Sequence, residues 1–134
     1  MPAIVFDLSD VVIRGLNGSE NILSHDLGLD PTVLHRQLHD PELREFFLGQ
    51  ISEEQYWRTL SERHRWNTTI EILKQRVREH MVEIEGMFSL LQDLNRRGTQ
   101  LSLLSNQGNA WADHIEQRYP HITQFFPVRS YSHQ

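Results

Sequence analysis

Ala3-Ile4-Val5-Phe6-Asp7-Leu8-Ser9-Asp10-Val11-Val12-Ile13 is the stretch that decides how the rest of this chain is read. Four apolar residues run into an acid, and a second apolar run follows at once. A short continuous run rich in β-branched and aromatic residues predicts a buried strand of a parallel sheet. Asp7 then stands at the carboxyl end of that strand, the edge at which open α/β sheets bind ligands. A carboxylate there either caps the following turn or takes part in chemistry, and its position alone leaves both readings open.

The second anchor lies far downstream. Leu101-Ser102-Leu103-Leu104-Ser105-Asn106 reads as another short strand, ending in a hydroxyl. The segment before it, Met87 to Gly98, reads as a helix. Leu90, Leu91 and Leu94 fall at helical spacing, Arg96 and Arg97 suit the negative helix end, and Gly98 suits the left-handed residue just beyond it. Strand, helix, glycine and strand in this order predict a right-handed βαβ unit.

The pair "IVFDLSDVVI" and "GTQLSLLSNQG" resembles the first and second motifs of the haloacid dehalogenase (HAD) superfamily. The form is similar to its helical-cap phosphatases, the group holding glucose-1-phosphatase-like proteins and the amino-terminal domain of soluble epoxide hydrolases. The resemblance spans essentially the whole chain. It implies an α/β fold: a Rossmann-like parallel sheet core, here truncated to about three strands, with an inserted all-helical cap. The implied division is 1–15 and 83–134 for the core and 16–82 for the cap.

The intervening sequence agrees with an insertion. After a turn-rich break at Arg14 to Ser19, the chain reads as successive short helices from Glu20 to about Met81. Asp30-Pro31 and Asp40-Pro41 are helix starts. Ser52 to Gln55 and Thr68 to Glu71 fit capping boxes. Tyr56, Trp57 and Leu60 give one apolar face, and Ile70, Leu73, Val77 and Met81 another. So long an ordered stretch is no plain loop. It is expected to cover the carboxyl edge of the sheet, excluding water and shaping a pocket. Beyond Ser105, a helix is expected from about Ala110 to Arg118, ended by Pro120, with Trp111 facing the core. A third strand is expected within Phe125 to Ser130.

Composition narrows the function classes. The net charge is −5 and the basic residues are scattered, which argues against a nucleic-acid partner. There is no cysteine, so neither disulfides nor thiolate chemistry are available. No basic-then-apolar leader and no apolar run of membrane length occur, so the expectation is a soluble, cytoplasmic protein without membrane partners.

The resemblance also implies a chemistry. Asp7 would be the nucleophile, forming an aspartyl-phosphate with a small phosphorylated metabolite. The Asp7 carboxylate and the Ser9 backbone carbonyl would hold Mg²⁺, which favours hard oxygen ligands. The Ser105 hydroxyl and the Asn106 backbone amide would grip the transferring phosphoryl oxygens.

Two departures from the family pattern follow. Many family phosphatases carry an acid–base aspartate where this chain has Ser9, and losing a positioned acid lowers rate by ~10²–10⁴-fold. Asp10, one residue on, could substitute if the chain turns there, although alternation in an extended segment would point it away. The dehalogenase branch usually shows a bulky aromatic at Ser9, which ranks carbon–halogen cleavage lower. The family's motif lysine and the acid pair after a fourth strand are also absent, which implies weak Mg²⁺ binding and little or no activity from this chain. Either a carboxyl-terminal segment beyond Gln134 or a second subunit is expected to cover the open sheet edge.

The histidines add no metal site. His35 and His39 are four apart, a chelating spacing, but no third ligand follows, and the reading is two surface residues of one helix. Trp57, Trp66, Phe46 and Phe47 are expected to pack within the cap rather than line a pocket. Two functional readings result: a Mg²⁺-dependent HAD-type phosphatase, incomplete here, or a catalytically inactive module keeping that scaffold for binding or dimerisation.

Overall fold

The computed structural model describes residues 2–134. Three parallel strands form one sheet in the order β1-β2-β3: β1 Ala3–Phe6, β2 Gln100–Ser105 and β3 Val128–Tyr131. The register aligns Phe6 with Leu103 and Ser105 with Tyr131, so all three carboxyl ends meet at one edge. Five helices separate β1 from the crossover helix: α1 Glu20–Leu27, α2 Pro31–Leu38, α3 Glu42–Phe47, α4 Glu53–His64 and α5 Ile70–His80. The crossover helix α6 spans Met87–Arg96. Helices α7 Asn109–Arg118 and α8 Pro120–Thr123 link β2 to β3. This is an α/β, Rossmann-like core with a long helical insertion between its first two strands.

The helix starts follow local chemistry. Asp30 accepts a hydrogen bond from the Thr32 amide at 2.8 Å, with Pro31 at the first helical position. Both halves of the Ser52–Gln55 capping box are made, at 2.8 and 3.1 Å. Two expected starts differ in detail. The second box gives way to a single cap one residue later, where Thr69 Oγ1 accepts from the Ile72 amide. Asp40 does not cap α3, because its carboxylate is taken by Arg63 and His64 instead. Pro120 does not merely end α7; it opens α8.

The strand β1 is not buried, contrary to the sequence expectation. Val5 is 65% exposed, because β1 pairs on one side only and its outer face carries no helix. Consecutive right-handed crossovers that advance in one direction lay their helices on one face. Leu101, Leu103, Ser105 and Tyr131 are buried on that face, while Val5, Leu104 and Val128 stand on the other, open to solvent. On α6, likewise, Leu91 is buried and Leu90 is exposed, so Met87, Leu91 and Leu94 form the packed stripe rather than Leu90, Leu91 and Leu94.

The helical layer and the sheet share one apolar core, which runs from Leu8 and Val12 through Tyr56, Trp57 and Leu73 to Trp111 and Phe126. Phe46 and Trp57 therefore pack not only within the layer but across it, against Trp111 of α7. The contact at Gly108 is the tightest. A Cβ there would come 2.1 Å from Phe46 Cζ, inside the ring's van der Waals boundary. Both residues are buried, so neither can move aside freely. Gly108→Ala is expected to destabilise the protein by about 2 kcal/mol through overpacking, read as a shifted denaturant midpoint at constant slope. An unchanged midpoint would mean that Phe46 does not occupy this place.

Candidate active site

The site begins where β1 stops. The Leu8 carbonyl accepts from the Val12 and Ile13 amides at 3.0 and 3.1 Å, which folds Ser9 to Ile13 into a tight turn. Asp10 takes the left-handed region at φ 62°, where a short polar side chain is among the few tolerated. Its Oδ1 accepts from the Gly15 amide at 3.0 Å. Because the chain turns at Asp10, the strand alternation that would carry it away does not apply. Asp7, Ser9 and Asp10 all line one cleft of about 290 Å³ together with Asn106, His39 and Phe47.

Asp7 and Asn106 also line a second depression of about 390 Å³ across the sheet edge, with Ser105, Ser130 and Ser132. The residues read from sequence as Asp7, Ser9, Ser105 and Asn106 are thus gathered at the carboxyl edge of β1 and β2, although they lie about a hundred positions apart. Asp7 and Asn106 are exposed, Ser9 is half-buried and Ser105 is buried.

The far wall comes from the helical layer, and its residues were not legible in the sequence. Leu43 and Phe47 of α3 and His39 at the end of α2 face the sheet edge across the cleft. Arg44 lines an adjoining space with Asn106 and Ser132, which places a cation beside the site. His39 Nδ1 lies 2.8 Å from the His35 carbonyl, which only accepts, so this nitrogen carries a proton. His35 and His39 stack with ring centroids 4.3 Å apart rather than chelating. Among the described residues no group of three metal-capable His, Asp or Glu side chains occurs. Of the aromatic residues expected to pack internally, Phe47 instead lines the cleft, while Trp57 and Trp66 are packed and hydrogen-bonded, Trp66 donating to Gln37 Oε1 at 2.9 Å.

One further residue holds the wall against the sheet edge. Ser132, just past β3, donates from Oγ to the Phe47 carbonyl at 2.6 Å and accepts from the Gln107 amide at 3.0 Å. Deeper in, Glu53 of α4 is 5% exposed and accepts from Trp57 Nε1 at 3.1 Å, Trp111 Nε1 at 2.7 Å and both terminal nitrogens of Arg78 at 2.9 and 2.7 Å. A single carboxylate thereby ties α4, α5 and α7 together.

The arrangement matches solved structures over nearly its full length. An HAD family enzyme from Bacteroides thetaiotaomicron, solved with magnesium and inorganic phosphate, superposes with a TM-score of 0.72 at 15% identity, covering 99% of this chain and 69% of that one. The chain has the haloacid dehalogenase fold. A predicted HAD-like family hydrolase from Porphyromonas gingivalis has the HAD fold too, at TM-score 0.67 and 23% identity over 100% of this chain and 67% of its own. An HAD phosphatase from Thermococcus onnurineus gives 0.52 at 14% identity, over 99% and 63%. No protein-family model and no curated protein matches the sequence. Within the HAD fold the cleft described above lies at the carboxyl ends of the strands, where doubly wound sheets place their ligands. No helix of the described residues is long and apolar enough to cross a membrane.

Proposed function

We propose that this chain is a HAD-type hydrolase scaffold for small phosphate esters, of the helical-cap subgroup, in which Asp7 is the nucleophile. The observation that carries the reading is the convergence of Asp7, Ser105 and Asn106 on one depression at the sheet edge. In this reading residues 1–15 and 83–134 are the core and residues 16–82 the cap, with His39, Leu43 and Phe47 as the cap's wall over the cleft.

The chemistry proceeds by displacement at phosphorus. A carboxylate oxygen of Asp7 forms a bond to phosphorus as the ester oxygen leaves with its electron pair and takes a proton. Water then cleaves the acyl phosphate, releasing inorganic phosphate and restoring Asp7. The Ser105 hydroxyl and the Asn106 amide hold the phosphoryl oxygens in both steps. In this reading the proton transfer missing at Ser9 falls to Asp10 or His39, which line the cleft with Asp7.

The donor set fits Mg²⁺ in kind. The Asp7 carboxylate and the Ser9 carbonyl are hard oxygens that leave the remaining positions to water and substrate, and a bound cation would neutralise charge on the phosphoryl group. A second reading, an inactive binding or dimerisation module, is favoured by the scarcity of carboxylates in the cleft and by the chain's sole lysine, Lys74, lying on α5.

Hydrolysis of an aryl phosphate by the purified chain separates the two. Slow turnover that requires Mg²⁺ and stops in EDTA is the expected outcome. Turnover indifferent to EDTA would remove the metal from the reading. Bound phosphate without any turnover would favour the inactive module.

A further inference from the structure

Gln107 follows the strand-end pair Ser105-Asn106, and nothing in the reading above uses its side chain. It is 2% exposed. Its Nε2 approaches two hydroxyls at once, Ser9 Oγ at 2.5 Å and Ser105 Oγ at 3.4 Å. These two hydroxyls come from the two separate segments that build the site. Ser9 lines the cleft shared by Asp7 and Asn106, and Ser105 lines the depression on the other side of the same pair. Gln107 lines neither and stands behind both.

A side-chain amide nitrogen has two protons, one for each hydroxyl oxygen. Its own Oε1 is buried without a partner. The reverse orientation would leave two buried donors unpaired in place of one acceptor, which is the worse arrangement. With an amide proton directed at each Oγ, each hydroxyl keeps its own proton for another partner. A phosphoryl group has only acceptor oxygens, so it can be bound by hydroxyls that donate and not by hydroxyls turned inward.

We propose that Gln107 is a positioning residue that orients the Ser9 and Ser105 hydroxyls as a pair of donors to the phosphoryl oxygens of a phosphate monoester. The inference rests on the phosphohydrolase reading of the site and adds Ser9, through its side chain, to the groups that bind the substrate. Gly15 supports the placement. A Cβ on Gly15 would come 2.9 Å from Ser9 Cβ, so the absence of a side chain there lets Ser9 lie where Gln107 reaches it.

The test is the affinity of the full chain for inorganic phosphate in the presence of Mg²⁺, by calorimetry. Gln107→Glu keeps the shape but offers only acceptors, so both hydroxyls turn inward and a negative charge is added. A loss of about 10- to 100-fold is expected, the size of one hydrogen bond to a charged group. Gln107→Met, which removes the donor without adding charge, is expected to lose less and serves if the glutamate variant fails to fold. In a Ser9→Ala, Ser105→Ala background, Gln107→Met should have no further effect on phosphate affinity, because its action runs through those hydroxyls. Wild-type protein that binds no phosphate would overturn the site reading and this inference together. Wild-type binding matched by Gln107→Glu, or by Gln107→Met where the glutamate variant does not fold, would overturn only the role of Gln107. So would an undiminished effect of Gln107→Met in the double-alanine background.

Discussion

Glu53→Gln is expected to destabilise the protein by about 3 kcal/mol, on the order of 10 °C in Tm, without touching the site. The carboxylate accepts four hydrogen bonds and balances Arg78 in a place closed to water. A glutamine offers one acceptor oxygen and turns an NH₂ group toward donors. It leaves the Arg78 charge without a counterion and at least one indole N–H unpaired. Removing Arg78 as well, in Glu53→Gln with Arg78→Met, should recover part of the loss, because an unmatched charge is worse than an absent pair. Urea denaturation of the two single variants and the double variant reads the result. A Glu53→Gln protein within 1 kcal/mol of wild type would show that the network is decorative.

The same group sets a pH dependence. Burial pushes the Glu53 carboxyl up, but the Arg78 guanidinium and the two indole N–H donors together outweigh it and hold the group below its ordinary value of 4.5. A carboxyl lowered on folding adds stability that is fully present above its unfolded value and is lost as pH falls through the folded one. Wild-type stability should therefore hold from neutrality to about pH 5 and drop below about pH 4.5. The Glu53→Gln protein should lack this part of the drop.

Asp7→Asn is expected to reduce Mg²⁺-dependent phosphate ester hydrolysis by at least about 10³-fold while leaving the fold intact. The amide has no anionic oxygen with which to attack phosphorus and is a poorer ligand for a hard cation. Among the described residues the Asp7 side chain takes part in no hydrogen bond or ion pair, and it is exposed, so little structure depends on it. Its Tm should lie within a few degrees of wild type. Intact-mass spectrometry during turnover adds an independent reading: wild type should gain one phosphoryl group and Asp7→Asn none. Equal turnover by the two proteins would remove Asp7 from the role of nucleophile.

What could be read in the sequence was what local chemistry determines. Asp30 with Pro31, and Ser52 with Gln55, start helices through bonds made within four residues, and both did so. Asp40 carried the same signal and did not cap, because Arg63 and His64, more than twenty positions away, claim its carboxylate. The apolar run of β1 announced a strand but not its exposure, which depends on where the helices of other segments fall. Asp7, Ser105 and Asn106 were legible because a strand end announces itself. His39, Leu43 and Phe47 were not, since helix patterning does not tell which end of a helix will overhang a sheet. Nothing in the sequence separates Glu53 from any other acid of a first helical turn. Only the approach of Trp111 and Arg78 makes it the buried tie of three helices.

The register that aligns Ala3 with Gln100 has a consequence for the chain as it is made. β1 leaves the ribosome ahead of its partner, which follows 97 residues later (100 − 3). At ordinary synthesis rates this is a delay of about 5–20 s. Through that interval Ile4, Val5 and Phe6 have no strand to join, while the helices of α1 to α5 can already form their local hydrogen bonds. The sheet closes last, around a helical layer made earlier, and β1 is the segment a chaperone would have most reason to hold.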